Sequence, residues 1–163
     1  MKNLLTIALL LFSFLSYGQE STTFILVRHA EKAADGTKDP DLTDAGKERA
    51  RRLAEMLSME EVTAVYSTDF KRTKQTVEPL AKSKGLEIQT YEWKSPKALM
   101  NKLLEQYNGG TVVICGHSNT TPILANALIG RAIVGTFAED DYGNILIVTA
   151  SKVGMGKLIW LIY

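Results

Sequence analysis

Three stretches of the chain, Thr22 to Val27, Val62 to Tyr66 and Thr111 to Cys115, are β-branched or apolar without alternation, which is how strands buried on both faces read. Between and after them, apolar positions recur at the spacing of one helix face. The first set is Ala50, Leu53, Ala54 and Leu57, the second Thr73, Val77, Leu80 and Ala81, and the third Leu99, Leu103 and Tyr107. Thr43 is placed to cap the first helix, with Asp44 where the positive end of the dipole favours an acid. Pro122 suits the first turn of a fourth helix, whose apolar face is Ile123, Leu124, Ala127 and Leu128. Leu86 to Tyr91 is strand-like, and Ile145 to Thr149 with Lys157 to Tyr163 reads as a hairpin joined through Gly154 and Gly156. Strands alternating with helices predict an α/β three-layer sandwich: a mostly parallel sheet flanked by helices, with a C-terminal edge hairpin.

The first residues do not fit that pattern. Lys2 precedes an apolar run from Leu4 to Leu15 that closes with Ser16-Tyr17-Gly18, the layout of a secretory signal peptide. The run is about 12 residues, short of the roughly 20 that a membrane-spanning helix needs. The expected organisation is therefore a signal peptide over 1–19 and one domain over 20–163, exported to the periplasm or secreted, with no membrane attachment after cleavage. Of 163 residues, 19 are Lys or Arg and 18 are Asp or Glu. Loss of Lys2 with the leader leaves these in balance, so the charge carries no footprint of nucleic-acid binding. The single cysteine, Cys115, ends an apolar run and reads as a small core residue.

The chain has only two histidines, and each sits just past the carboxyl end of an expected buried strand, in Arg28-His29 and Gly116-His117. Ligands of open α/β sheets bind at those ends, where loops from separate strands converge. A third segment, Ser67-Thr68-Asp69-Phe70-Lys71-Arg72, follows the strand ending near Tyr66 and brings Arg72 to the same rim. Arg28 and Arg72 offer forked, permanently charged donors to phosphoryl oxygens. A neutral imidazole is a competent nucleophile near neutral pH, so attack by His29 would give a phosphohistidine that water then hydrolyses. His117, if protonated, would stabilise charge on the equatorial oxygens. Two imidazoles flanked by arginines make a poor cation site.

Arg28-His29-Ala30-Glu31 resembles the Arg-His-Gly signature of the histidine phosphatase superfamily, also called phosphoglycerate mutase-like, with Ala30 in place of the usual glycine. Ser67 with Arg72, Thr73 and Gln75-Thr76 is similar to its second arginine segment, and Gly116-His117-Ser118 to its second histidine motif. Leu42-Thr43-Asp44-Ala45-Gly46 matches the family's helix start, and the shortness of the chain resembles the small phosphohistidine-phosphatase branch. The resemblance implies His29 as nucleophile, Arg28, Arg72 and His117 as phosphate ligands, and no metal or other cofactor. The implied activity is hydrolysis of phosphate monoesters or phosphoramidates, on a phosphorylated small molecule or phosphoprotein. A mutase-like phosphotransferase and a non-catalytic phosphate-binding module are the alternatives.

Four acids are candidates for the proton donor that an alkyl phosphate needs. Glu92 follows the third strand, beside Trp93, which would exclude water. Glu31 lies two residues from His29, where it would donate the proton, touch substrate, or instead orient Lys32 or an arginine. Asp140 and Asp141 precede the edge strand. The loops Ala33 to Asp41 and Tyr91 to Pro96 are the expected determinants of specificity.

Overall fold

The computed structural model describes residues 20–163, and the expected leader over 1–19 lies outside them. Six strands and four helices follow one another as β1 (Thr22–Arg28), α1 (Asp44–Met56), β2 (Val62–Ser67), α2 (Lys71–Lys84), β3 (Ile88–Thr90), α3 (Pro96–Gln106), β4 (Thr111–Gly116), α4 (Thr120–Ile129), β5 (Asn144–Ala150) and β6 (Lys157–Ile162). The sheet order is β3-β2-β4-β1-β5-β6. β1, β2, β3 and β4 pair in parallel, while β5 and β6 form the antiparallel edge hairpin.

The continuous apolar strands are explained by two cores, one on each face of the sheet. Phe24 and Leu26 of β1 pack with Met100 and Leu103 of α3 and Leu124 and Leu128 of α4. Their neighbours Ile25 and Val27 point to the opposite face, into Leu53 of α1 and Val77 and Leu80 of α2. A strand whose successive residues are all claimed by a helix layer has no polar face to show. Cys115 belongs to the second core and is fully buried.

Local signals also hold. The Thr43 hydroxyl accepts from the Gly46 amide at the start of α1. Gly46 itself is dictated by packing, because a Cβ there would stand 2.3 Å from the Glu31 carbonyl oxygen. β3 is shorter than the strand-like segment Leu86 to Tyr91 predicts: only three residues pair, and only with β2 at the sheet edge. Tyr91 leaves that strand and enters the core, its hydroxyl donating to the Cys115 carbonyl at 3.3 Å.

Candidate active site

The register of the central strands brings their carboxyl ends level. Arg28 pairs with Gly116, and Ser67 with Cys115. His29 and His117 consequently stand edge to face, with ring centroids 5.5 Å apart. Phe70 packs against His117 at 5.0 Å, and the Arg72 guanidinium lies over the Phe70 ring at 4.5 Å. Arg28, His29, Arg72 and His117, expected together from the sequence, do share one site.

Each side chain is positioned by its neighbours. The His29 Nδ1–H donates to the Ala30 carbonyl at 2.9 Å, which leaves the lone pair on Nε2. The Ala30 amide donates to Thr76 Oγ1, and Thr76 in turn donates to the Arg72 carbonyl, so β1 and α2 are tied directly behind the nucleophile candidate. The His117 amide donates to Thr120 Oγ1 at 2.8 Å. Gly116 is required before it, because a Cβ at that position would come within 2.9 Å of the hydroxyls of Thr120, Tyr91 and Thr121. His117 Nε2 faces Thr68 Oγ1 at 3.0 Å.

Burial, reinforced by the positive charges of Arg28 and Arg72, lowers the His29 pKa to about 3 against the opposing pull of the Ala30 bond. Burial and the same two arginines bring His117 down to about 4. Both rings are neutral at pH 7. The charged His117 anticipated from the sequence therefore requires a bound anion to raise its proton affinity.

Arg28 departs from the simple phosphate fork. It is 1% exposed, and its Nη1 donates to the carbonyls of Ala138 at 2.5 Å and Asp141 at 3.0 Å, while Nη2 donates to Glu139 at 2.9 Å. The Tyr142 ring covers it at 4.3 Å and lies 6.0 Å from the His29 ring. Arg72 is less engaged. Its Nη1 is 3.5 Å from Asp39, whose carboxylate also accepts from the Lys71 amide and so caps α2. The Nε atoms of both Arg28 and Arg72 are buried without a protein partner.

The acids fall out differently from the expectation. Glu31 is held by Arg49, whose Nε lies 3.0 Å from both carboxylate oxygens and whose Nη2 lies 2.7 Å from Oε1. The Arg49 guanidinium keeps the Glu31 carboxyl below its usual range, which favours its ionised, ion-paired form. The sequence alternative in which it orients an arginine is the one found. Glu92 and Trp93 are both exposed, so the water exclusion expected of Trp93 is missing. Asp140 is exposed, and Asp141 accepts from the Asn144 side chain at 2.6 Å. Glu139, not anticipated, has a carboxylate oxygen 3.8 Å from Arg28 and 3.9 Å from Lys32.

The residues that sequence reasoning missed, Glu139, Tyr142, Thr68 and Asp39, come from three loops. The signal for the first two was the hairpin itself. An antiparallel β5 must begin at the rim where β1 ends, and Val27 indeed pairs with Ile145. Among the described residues no cluster of three or more His, Cys, Asp or Glu is arranged to hold a metal ion.

Residues 24–93 match the sequence profile of the histidine phosphatase superfamily, branch 1. Phosphoserine phosphatase 1 of Hydrogenobacter thermophilus is 43% identical over 70 residues, covering 39% of this chain and 33% of that protein. Phosphoglycerate mutase-like protein 4 of Arabidopsis thaliana is 40% identical over 74 residues, covering 40% and 32%. The chain thus spans about a third of the length of the curated relatives it matches. In fold it is similar to a mycobacterial glucosyl-3-phosphoglycerate phosphatase, with a TM-score of 0.71, 14% identity and coverage of 88% of this chain and 99% of the other. It is also similar to the protein histidine phosphatase SixA complexed with tungstate, with a TM-score of 0.71, 21% identity and coverage of 86% and 96%. Residues 24–93 thus carry the sequence profile of the histidine phosphatase superfamily, and the fold of the described residues is similar to that of these phosphatase structures.

Proposed function

We propose that the chain is a metal-independent phosphatase that works through a phosphohistidine on His29. The observation that carries this reading is the bond from His29 Nδ1–H to the Ala30 carbonyl, which in a neutral ring fixes the lone pair on Nε2. Nε2 attacks phosphorus, the bond from phosphorus to the leaving atom breaks, and that atom departs with the electron pair. Water then attacks the phosphohistidine, releasing phosphate and regenerating the neutral ring. The buried, unpaired Nε–H groups of Arg28 and Arg72 supply donors that a phosphoryl group would satisfy.

The surroundings of the acids refine the substrate class. Glu31 is ion-paired, Glu92 and Asp140 are exposed, and Glu139 sits beside two cations. None of these four is enclosed in a dry apolar pocket, the setting that protonation of an alkoxide leaving group demands of its acid. The reading therefore favours phosphoramidates, phosphohistidine included, and aryl phosphates over alkyl phosphates. Export after leader removal belongs to the same reading and rests on the sequence of residues 1–19.

The test is a rapid-quench experiment with a phosphohistidine peptide, an aryl phosphate and an alkyl phosphate in the presence of chelator. The expected result is an alkali-stable, acid-labile phosphoenzyme that His29→Ala lacks, with the alkyl substrate slower by at least about a hundredfold. Phosphate binding without turnover of any substrate would make the chain a binding module instead. A rate that collapses with chelator and returns with a divalent ion would remove the metal-free mechanism.

A further inference from the structure

The hydroxyls behind His117 form a chain whose proton directions can be worked out. Thr73 Oγ1 lies 3.0 Å from the Thr68 carbonyl and 2.9 Å from the Phe70 carbonyl. A carbonyl only accepts, so the single Thr73 proton is committed to the backbone. Thr68 Oγ1 lies 3.0 Å from Thr73 Oγ1 and 3.0 Å from His117 Nε2. If Thr68 gave its proton to His117, two hydroxyl oxygens would face each other with no proton between them. In a group that is fully enclosed this is costly, since Thr68 and Thr73 are both buried. The arrangement that satisfies every atom has Thr68 donating to Thr73 and accepting from His117 Nε2–H.

We propose that Thr68, backed by Thr73, is a positioning residue that holds neutral His117 as its Nε2–H tautomer and leaves Nδ1 as the nitrogen available to a ligand. The two histidines then carry opposite tautomers. His29 keeps its proton on Nδ1, donated to the Ala30 carbonyl, and presents Nε2, whereas His117 keeps its proton on Nε2, donated to Thr68 Oγ1, and presents Nδ1. Edge-to-face rings 5.5 Å apart thereby present two lone pairs of distinct purpose to the site. His29 Nε2 attacks, while His117 Nδ1 takes up a proton when an anion binds and returns it as a hydrogen bond to that anion. The catalytic part of this inference rests on the phosphatase reading, but the tautomer part does not.

Because the chain contains only two histidines, long-range ¹H–¹⁵N correlation of the imidazoles in the full protein at pH 7 resolves the question directly. The wild-type spectrum is expected to show one Nδ1–H ring, lost in His29→Ala, and one Nε2–H ring. Thr73→Val removes the acceptor for the Thr68 proton, frees that proton for His117 Nε2, and shifts the second ring towards Nδ1–H. Thr68→Ser preserves the wild-type pattern, whereas Thr68→Val abolishes the preference. Against phosphohistidine peptide, Thr68→Val is expected to lower kcat about tenfold with KM changed less than twofold, and Thr68→Ser to restore it.

An Nδ1–H signal for His117 in the wild type, or a spectrum unmoved by both Thr73→Val and Thr68→Val, overturns the proposal. The expected tautomers in a protein that hydrolyses nothing would leave the positioning role standing and remove the phosphatase reading. Should either valine variant unfold, Thr68→Ala with its smaller volume and the wild-type spectrum still decide.

Discussion

Two loops reach the same rim, and each meets one arginine by a different means. The loop after β1 is pinned at its base by pairing of Lys32 with Leu42, and it extends a side-chain carboxylate, Asp39, to Arg72 and the start of α2. The loop before β5 gives Arg28 three backbone carbonyls, from Ala138, Glu139 and Asp141. That second loop is anchored from below. Phe137 is buried and its amide donates to the Ser118 carbonyl, while the Asn126 side chain binds both amides of Ile133 and Val134. A half-exposed carboxylate 3.5 Å away is exchangeable for a phosphate oxygen, whereas a carbonyl cage fixed to the core is not. The two arginines that look equivalent in the sequence therefore differ in their contacts: Arg72 meets one half-exposed carboxylate, whereas Arg28 is tied through both Nη atoms to the loop that carries Tyr142, with only its Nε–H left unpaired.

The largest consequence falls on turnover. Arg72→Ala is expected to cost on the order of 10² to 10⁴ in kcat with aryl phosphate, the usual scale for a preorganised donor, while leaving thermal unfolding nearly unchanged. Steady-state kinetics beside a melting curve measure both. Arg28→Ala should show the converse emphasis. Removing a 1% exposed cation strands three carbonyls and loosens the Tyr142 loop, so stability should fall by about 3 kcal/mol in urea unfolding, with activity lost in proportion to loop order. Full stability in both variants with equal losses of turnover would erase the distinction.

The histidines between the two arginines add a pH dependence. Folded His29 and His117 do not take up protons until about pH 3 and 4, whereas in the unfolded chain they do so near 6.5. The unfolded state therefore binds more protons below pH 6.5, and stability is lost as pH falls from there towards 4. Denaturant titrations at pH 6.5 and 5.0 should differ by about 3 kcal/mol, and His117→Phe should roughly halve that difference. The smallest effect belongs to the exchangeable loop. Asp39→Asn removes the internal competitor for Arg72 and should tighten inhibition by phosphate or vanadate no more than about fivefold.

How far the sequence foretold this arrangement follows from where the information sits. Unalternating strands, the Thr43 cap and two histidines at strand ends are local signals, and each leads to the structure found. The carbonyl cage around Arg28 is invisible by the same logic. Every residue, proline included, supplies the same backbone acceptor, and the contact spans more than a hundred positions. Glu31 is a middle case, since its two readings could be separated only by knowing that α1 returns Arg49 to within 3.0 Å of it. The overreach at β3 has a different cause. Leu86 and Tyr91 are apolar because the cores need them, although neither extends the strand.

Cys115 gives the molecule a clock. It is the single cysteine of the chain, lies in β4 between β1 and β2, and is fully enclosed, with burial pushing its thiol pKa well up. A thiol reagent therefore reacts only during the moments when the central strands part. With dilute reagent and fast reclosure, the labelling rate tracks how often the sheet stands open at equilibrium, and with concentrated reagent it approaches the opening rate itself. One natural side chain thus times the breathing of the sheet floor from which both imidazoles rise, with no residue substituted.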